Sequence, residues 1–136
     1  MAATLKLEIV TPSAKIFSED VEMVTLTGID GEMGILPEHM ALMTQLASGE
    51  IHARKDGKSI FLAVGEGFIQ VTREQVSILT DMAIKADDID EAKAEEARQK
   101  AEARLSQKLS DEETVSVQAS LMHALTQLNV KRRRHL

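Results

Sequence analysis

The 136-residue sequence lacks cysteine, tryptophan and tyrosine, and it contains only three phenylalanines. Without cysteine, the chain has no disulfide, no thiol nucleophile and no thiolate ligand for a metal. With so few aromatic rings, the core is expected to be aliphatic, and ring stacking on bases or sugars is nearly excluded. No apolar run approaches the roughly 20 residues of a membrane span, and the N-terminal MAATLKLEIV does not resemble a signal peptide. These absences predict a soluble protein.

The composition is that of a folded, acidic domain. Hydrophobic residues make up 43% of the chain, and the formal net charge is −6. A chain of this length forms one ordinary domain, or a small domain with an appendage. Nucleic-acid binders normally present a basic face, so the acidic balance argues against a nucleic-acid partner.

The first 86 residues alternate apolar and polar side chains with period two, which is typical of β-strands. The predicted strands cover residues 5–9, 21–27, 59–65, 68–72 and 75–79. Asp56 and Gly57 are a hairpin signal, since both residue types tolerate the positive φ of a tight turn. Short strands without a long helix between them predict an antiparallel β-sandwich or flattened barrel in residues 1–86.

Residues 87–136 are rich in Ala, Glu, Lys, Arg and Gln, which have strong helix propensity. Asp88 followed by Glu91 predicts the start of a first helix, and Ser110 followed by Glu113 predicts the start of a second. The second helix has an apolar stripe at Leu121, Leu125 and Leu128. The short polar link around Ser110 predicts an antiparallel two-helix hairpin as the second domain.

The first helix has only a thin apolar stripe, made mostly of alanine. Its members are Ile89, Ala92 or Lys93, Ala97, Ala101 and Leu105. Alanine buries little area, so the stripe indicates a hairpin that docks weakly and can detach. The alternative is that the alanines only allow the helices to approach each other closely.

Residues that could carry catalysis are few. Among the four histidines only His39 has a distinctive setting, next to Glu38 and close in sequence to Asp30. A histidine with carboxylates can act as a general base, but one histidine without a second ligand at a diagnostic spacing predicts no metal site. No serine lies in a nucleophile elbow, and no glycine-rich phosphate loop is present. A structural or contact role for His39 is predicted, with a small His-dependent hydrolase as the alternative.

The stretch GEMGILPEHM, residues 31–40, combines bending residues with apolar ones. Gly31 and Gly34 permit tight bends, and Pro37 restricts the backbone of Leu36. This predicts a rigid loop that docks on a partner. The side chains presented by that loop would be Glu32, Met33, His39, Met40 and Met43. In the alternative interpretation, Ile35, Leu36 and one or two methionines close the end of the sandwich, and one loop can do both.

GEMGILPEHM resembles the GE-hydrophobic-GILP-x-H signature of the epsilon subunits of F-type ATP synthases. The resemblance extends through VTP near residue 10, VEMV at 21–24, AVGEGFIQV at 63–71 and ADDIDEAKA at 86–94. It implies a β-sandwich followed by a helical hairpin, the architecture that the periodicities also predict. It further implies a non-catalytic rotor subunit without a cofactor, which holds the gamma subunit, rests on the c-ring and acts on the alpha/beta catalytic head.

By the same resemblance, the contact with the c-ring falls to Glu32 and His39. The whole contact loop that the family implies is Gly31, Glu32, Met33, Gly34, Pro37, His39 and Met40. Many relatives carry glycine where this chain has Glu38, so backbone shape and charge are expected to differ there. The implied location is the cytoplasmic side of the bacterial plasma membrane; the stromal side of the thylakoid, for an organelle-encoded subunit, is the alternative.

The helical hairpin resembles the regulatory element of the family, which folds against the sandwich or extends into the catalytic head and blocks ATP hydrolysis. The alternative is a purely structural hairpin. The implied inhibitory contacts to the catalytic subunits are the cations Lys131, Arg132, Arg133 and Arg134. For these four the alternative is a solubilising terminus frayed in solvent.

Some bacterial relatives bind ATP in the folded hairpin through an (Ile/Leu)-Asp-x-x-Arg-Ala motif. The matching residues here are Ile89, Asp90, Lys93 and Ala94, so lysine replaces the arginine of the motif. Lys100, His123 and Gln127 stand where the ATP binders carry further arginines. Because arginine binds phosphate bidentately, the resemblance implies a degenerate site with weak or no ATP binding.

Overall fold

Ten strands, a 3₁₀ turn and two α-helices make up residues 3–134, the part of the chain that the computed structural model describes. The strands are β1 (Leu5–Val10), β2 (Lys15–Val21), β3 (Met23–Gly28), β4 (Gly31–Ile35), β5 (Leu42–Leu46), β6 (Gly49–Lys55), β7 (Lys58–Val64), β8 (Gly67–Val71), β9 (Gln75–Thr80) and β10 (Ala83–Lys85). The 3₁₀ turn Ala86–Asp88 leads into α1 (Glu91–Leu105) and α2 (Asp111–Arg133).

All ten strands belong to one sheet that folds over on itself. Their order is β10-β7-β6-β3-β5-β8-β9-β1-β2, and β4 pairs with β3 at the side. The backbone N–H of Glu22, just after β2, donates to the carbonyl of Arg54 in β6 at 2.7 Å, which brings the end strand β2 next to β6. The predicted β-sandwich or flattened barrel followed by a two-helix hairpin is therefore confirmed.

One strand pair departs from the antiparallel prediction. β1 runs parallel to β9, with Leu7 opposite Val76. A parallel neighbour needs a long connection, and here the whole of β2 to β8 forms it. Local alternation along the sequence contains no signal for this pairing.

The hairpin between β6 and β7 follows the sequence prediction. Asp56 and Gly57 have φ values of 52° and 74° and connect Lys55 to its partner Lys58. The predicted strand over residues 21–27 is instead divided, because β2 ends at Val21 and β3 begins at Met23. Alternation cannot show such a break, since both strands contribute buried residues to the same core.

The core of the sandwich is aliphatic, as predicted, with Phe17 as the one aromatic ring in its buried cluster. The period of two determines which residues form this core, because every second residue of each strand faces inward. Its buried members are Leu5, Leu7, Ile9, Phe17, Val21, Val24, Leu26, Ile35, Leu46, Ile51, Ala53, Leu62, Val64, Ile69, Val71, Val76 and Ile78.

The two helices begin differently from each other. Ser110 and Glu113 form the predicted capping box of α2, and the hydrogen bond from the Ser110 side chain lowers the pKa of the Glu113 carboxyl. For α1 the predicted start at Asp88 is wrong: Asp88 ends the 3₁₀ turn, and Asp90 caps α1 by accepting from the backbone N–H of Lys93 at 3.1 Å. The extended backbone at Ile89 separates the two turns.

The hairpin docks on the sandwich through α2. α1 packs against α2, and α2 packs against β6 and β7. On α1 the buried alanines are Ala94 and Ala101, whereas Ala92 and Ala97 are exposed, so the predicted stripe is partly wrong. The seam between hairpin and sandwich contains Ala63, Ala86, Ile89 and Val130, with Phe61 and Ile84 at its border.

Neither α1 nor α2, nor any other helix within residues 3–134, combines the length and the apolar character needed to cross a bilayer.

Candidate functional site

The first half of GEMGILPEHM is a strand rather than a loop. β4 pairs with β3 along its whole length, with Glu32 opposite Thr27 and Gly34 opposite Thr25. Gly31 has a φ of 123°, which favours glycine, but Gly34 has no positive φ. The prediction that both glycines make tight bends is therefore correct for Gly31 and wrong for Gly34.

The second half is a turn fixed by backbone hydrogen bonds. The N–H of Glu38 donates to the carbonyl of Arg73 at 2.9 Å, and the N–H of His39 donates to the carbonyl of Leu36 at 3.2 Å. His39 Nδ1 lies 2.8 Å from the Met40 carbonyl. Since a carbonyl only accepts, Nδ1 donates, and Nε2 of the neutral ring remains an acceptor. The predicted rigidity of residues 36–40 thus has a structural basis.

Glu38 sits in the left-handed region, with a φ of 66°. Its carboxylate is 3.6 Å from Arg73, and both side chains are about three-quarters exposed. An exposed pair of this kind contributes little, so the position is dominated by its backbone. The left-handed conformation is unfavourable for any residue with a Cβ.

Glu38→Gly is therefore expected to raise the free energy of unfolding by up to about 1 kcal/mol, because relief of the Cβ clash exceeds the added entropy of the unfolded chain. Glu38→Ala is the control, since it removes the same carboxylate but keeps a Cβ. Urea unfolding of both variants checks this. Equal stabilities for the two variants would show that the backbone conformation carries no cost.

Glu32 and His39 do not meet in one site. Glu32 lies near the start of β4 and His39 beyond its end. The three residues from Glu32 to Ile35 alone span roughly 10 Å of extended chain. Glu32 and His39 therefore lie at two separate points along β4 and the turn after it, and both side chains reach the surface.

The apolar side chains of this segment divide between core and solvent. Ile35 is buried, and Met33 packs against the core, as the alternative interpretation predicts. Leu36 is 57% exposed and Met40 82% exposed, so Leu36 does not anchor the segment to the sandwich as predicted. Pro37 is half-buried beside them.

A second surface, which the sequence interpretation missed, lies on the outer side of β5, β8 and β9. Phe68 and Leu79 are directly opposite each other across the β8–β9 pair and are 56% and 54% exposed. Met43, on β5, and Ile29, before β4, are exposed as well. A groove of about 490 Å³ runs beside Phe68, with Ile29 in its lining. We call Ile29, Met43, Phe68 and Leu79 the outer apolar face.

The alternation of β8 contains the signal for this surface. Ile69 and Val71 are buried, so Phe68 shares the outward side with Gln70. An aromatic residue on the same side of a strand as polar residues indicates exposed apolar area, and such area is typical of binding surfaces.

The hairpin contains a cavity of about 270 Å³ between α1 and α2. Its lining residues are Lys93, Ala94, Ala97, Ser120, His123, Ala124 and Gln127. The structure thus brings together Lys93, Ala94, His123 and Gln127 of the predicted ATP site. Nucleotide-sized pockets are typically larger, about 300–1,000 Å³.

The other members of the predicted ATP site lie elsewhere. Asp90 caps α1, and Ile89 is buried in the seam with the sandwich. Lys100 is 74% exposed and pairs with Glu96 of the same helix at 3.0 Å. His123 is directed to the sandwich as well, because its Nε2 lies 3.0 Å from the Asp81 carboxylate.

The four tail cations are paired within the chain. Lys131 Nζ donates to the Ala86 carbonyl at 3.1 Å. Arg132 donates to Glu91 at 2.8 Å and to Glu95 at 3.2 Å, which joins α2 to α1. In this conformation residues 131–134 contact the rest of the chain and are not frayed, while their predicted contacts with the catalytic subunits stay a prediction. His135 lies outside the described residues.

Glu50 in β6 receives the last two arginines. Arg134 Nε donates to Glu50 Oε2 at 2.9 Å, its Nη2 donates to Oε1, and Arg133 Nη1 is 4.0 Å from Oε1. The hydrogen bond to Glu50 raises the pKa of Arg134, so the guanidinium stays charged. This pairing spans 84 positions of sequence.

Among residues 3–134, no three histidine or acidic side chains come together as a metal would require. His39 is bonded to backbone rather than to a carboxylate.

Two family models match the chain. The model described as ATP synthase, Delta/Epsilon chain, beta-sandwich domain matches residues 4–86. The model described as ATP synthase, Delta/Epsilon chain, long alpha-helix domain matches residues 87–132. The two matches follow one another along the chain.

Two relatives that match nearly the whole chain are both described as ATP synthase epsilon chains. The ATP synthase epsilon chain of Dehalococcoides mccartyi (strain CBDB1) is 43% identical over 136 residues, covering 98% of this chain and 97% of the relative. That of Desulforamulus reducens is 40% identical over 128 residues, covering 94% of this chain and 97% of the relative.

Solved structures agree in fold. A chain in the Euglena gracilis mitochondrial ATP synthase, in an assembly of OSCP, F1 and the c-ring, has a TM-score of 0.72 at 26% identity, over 93% of this chain and 80% of that one. A chain of the Tetrahymena thermophila central stalk and c-ring has a TM-score of 0.56 at 10% identity, a likeness of fold alone, over 99% and 98%. The chain therefore belongs to the epsilon-subunit family of the ATP synthases.

Proposed function

We propose that the chain is a non-catalytic rotor subunit of the central stalk, which couples rotation of the c-ring to the gamma subunit and the catalytic head during proton-driven ATP synthesis. The observation that carries this proposal is the family match over both the sandwich and the hairpin. A bacterial enzyme, with this subunit on the cytoplasmic side of the plasma membrane, fits the bacterial relatives; the stromal side of a thylakoid is the alternative.

The outer apolar face is the surface we assign to the gamma subunit. Two parts that rotate as one body form a permanent contact, and permanent contacts are more apolar than transient ones. Phe68 and Leu79 offer such a centre, because they are opposite each other on rigid strands. The backbone of these strands is already ordered, so binding has no loop-ordering cost.

The β4 edge and the turn after it are the surface we assign to the c-ring. Glu32 is an exposed carboxylate that accepts hydrogen bonds from basic or amide groups, and His39 Nε2 is a second acceptor. Their separation along β4 gives two points of contact. Two points resist rotation better than one, as a joint that transmits torque requires.

His39→Ala tests the proposed function in the assembled enzyme. We expect proton-driven ATP synthesis to fall, because the loss of one interface hydrogen bond weakens the contact with the c-ring by about two- to tenfold in affinity. Lys15→Ala is the control, because Lys15 lies on β2 and pairs with Glu8 within the chain. Unchanged synthesis would contradict a contact role for His39, and an ATPase activity of the isolated chain that vanished with His39 would favour the hydrolase alternative.

We further propose that the hairpin is regulatory and inhibits ATP hydrolysis when it extends toward the catalytic head. The support is the seam, in which Ala63, Ala86, Ile89 and Val130 bury little apolar area between hairpin and sandwich. An element with two conformations needs a small free-energy difference between them. A hairpin that only stiffens the sandwich is the competing function.

Binding of ATP to the hairpin is expected to be weak or absent. Among the described residues that line the cavity, Lys93 is the one lysine and no arginine is present. Gln127 is neutral, and His123 already contacts the Asp81 carboxylate. Isothermal titration of the isolated chain with ATP should show no binding with a dissociation constant in the micromolar range. Lys93→Arg with Gln127→Arg should strengthen any residual affinity by about tenfold or more, because each arginine adds a bidentate phosphate contact. Micromolar affinity of the unmodified chain would contradict the expectation.

A further inference from the structure

Arg134, Glu50 and Phe61 form a contact that joins the end of α2 to the sheet, and it differs in kind from the alanine-rich seam beside it. The Glu50 side chain is only 13% exposed, although it is a carboxylate on β6. Arg134 covers it with two parallel hydrogen bonds, the arrangement that gives arginine–carboxylate pairs their strength.

Phe61 supplies the second half of this contact. The Arg134 guanidinium carbon lies 3.9 Å from the centroid of the Phe61 ring, within the range of a cation–π interaction. The ring itself is held by His52, whose centroid is 4.5 Å away with an interplanar angle of 18°. His52 is in turn fixed by its hydrogen bond to Ser59 at 2.8 Å.

The neighbouring cations divide their contacts between the two domains. Like Arg134, two of them contact residues of the sandwich domain: Lys131 contacts Ala86, and Arg133 contacts Glu50. Arg132 instead binds Glu91 and Glu95 on α1. Release of the hairpin as a unit would therefore break the contacts of Arg134 and keep those of Arg132.

We propose that Arg134 with Glu50 and Phe61 is a latch that holds the hairpin on the sandwich, and that Glu50 competes for the tail cations with any acidic surface of a partner. The latch stands on these contacts alone; the competition rests on the proposed regulatory function. A cation bound to Glu50 cannot simultaneously occupy an acidic partner segment, so extension of the hairpin must first break this pair.

The latch can be tested in the full-length isolated chain by thiol labelling. The chain has no cysteine, so Val130→Cys introduces the only thiol, at a seam position that is 3% exposed. Labelling of this thiol measures release of α2 from the sheet. In that background, Glu50→Gln is expected to raise the labelling rate by about tenfold, the effect of losing one bidentate charge-assisted pair.

Two further variants make the test specific. Glu96→Gln removes the same charge from an ion pair within α1 and should leave the rate unchanged. Arg134→Gln should raise the rate at least as much as Glu50→Gln, because it also loses the Phe61 contact, and the double variant should do no more than Arg134→Gln alone. High salt, with a Debye length of about 3 Å, should accelerate labelling of the parent and hardly affect Glu50→Gln.

The outcomes separate the latch from the regulatory function. Equal labelling rates for Glu50→Gln and Glu96→Gln, with both chains folded by circular dichroism, would overturn the latch. Soluble polyglutamate is the probe for competition: it should accelerate labelling in the parent but not in Arg134→Gln, and no acceleration in the parent would overturn the competition. If removal of the hairpin leaves ATP hydrolysis unchanged, the regulatory function fails while the latch remains measured.

Discussion

Phe68→Asp is expected to weaken binding of the chain to the gamma-containing F1 complex by more than about a hundredfold. A central aromatic anchor costs on the order of 2 kcal/mol or more when truncated, and a buried unpaired charge adds to that. Phe68 is one of only three aromatic residues, and it is 56% exposed on β8. The proposed contact with gamma would cover this ring.

The free chain should tolerate this change. Because Phe68 contacts solvent over more than half of its surface, the aspartate side chain remains hydrated in the absence of a partner. Leu79→Asp, on the opposite strand position, should behave in the same way. Lys58→Asp, in the β6–β7 turn, is the control with a charge change away from the outer apolar face.

The measurement is the dissociation constant of the labelled chain for F1 depleted of this subunit, together with urea unfolding of each variant. We expect Phe68→Asp and Leu79→Asp to lose binding with unfolding midpoints close to the parent. Parent-like binding of both variants would show that gamma contacts another surface.

Truncation after Asp88 is expected to raise the ATP hydrolysis rate of the assembled enzyme by several-fold to about tenfold. This range follows if the extended, inhibiting state is favoured over the folded one by about 1 to 1.4 kcal/mol in the assembled enzyme, so that only roughly a tenth to a sixth of the complexes are free of inhibition. Only α1 and α2 are removed, and the β-sandwich keeps every strand.

The fold makes this truncation a clean experiment. α2 packs against β6 and β7, whereas the outer apolar face lies on β5, β8 and β9 and on Ile29. The truncated chain should therefore remain bound to the rotor. Its unfolding free energy should fall slightly, because Phe61 and Ile84 lose their cover at the seam.

The measurement is steady-state hydrolysis of complexes with confirmed subunit content. Arg104→Gln serves as a control within the intact hairpin, since its partner Glu113 lies 3.2 Å away on the next helix and not on the sandwich. A truncated enzyme that hydrolyses ATP at the parent rate would support a purely structural hairpin.

The sequence predicts the features that depend on neighbours along the chain. Alternation predicted β1, β7, β8 and β9, Asp56-Gly57 predicted its hairpin, and Ser110 with Glu113 predicted the capping box of α2. Before α1, three acidic residues within four positions could each cap the helix. Asp88 belongs to the 3₁₀ turn, so Asp90 is the residue that caps α1. A local pattern alone cannot make that choice.

Features that depend on distant partners could not be predicted in this way. The parallel pairing of β1 with β9 and the bond between Arg134 and Glu50 both join remote segments. Gly31 and Gly34 suggested a loop, because glycine signals a bend whenever its strand partner is unknown. Leu36 was expected inside and is outside, since the buried side of β4 ends at Ile35.

The central claim, that the hairpin leaves the sandwich in order to inhibit, is tested most directly by preventing it from leaving. Asp81 and His123 face each other across the two domains at 3.0 Å, and the chain supplies no other thiol. Cysteines at these two positions, joined by a short reducible bis-thiol crosslinker, would lock the folded hairpin in the assembled enzyme. The uncrosslinked double variant is the control. We expect the locked enzyme to hydrolyse ATP as fast as the enzyme truncated after Asp88, and to return to the slower rate of the control on reduction. A locked enzyme that stays at the rate of the uncrosslinked control would contradict the claim.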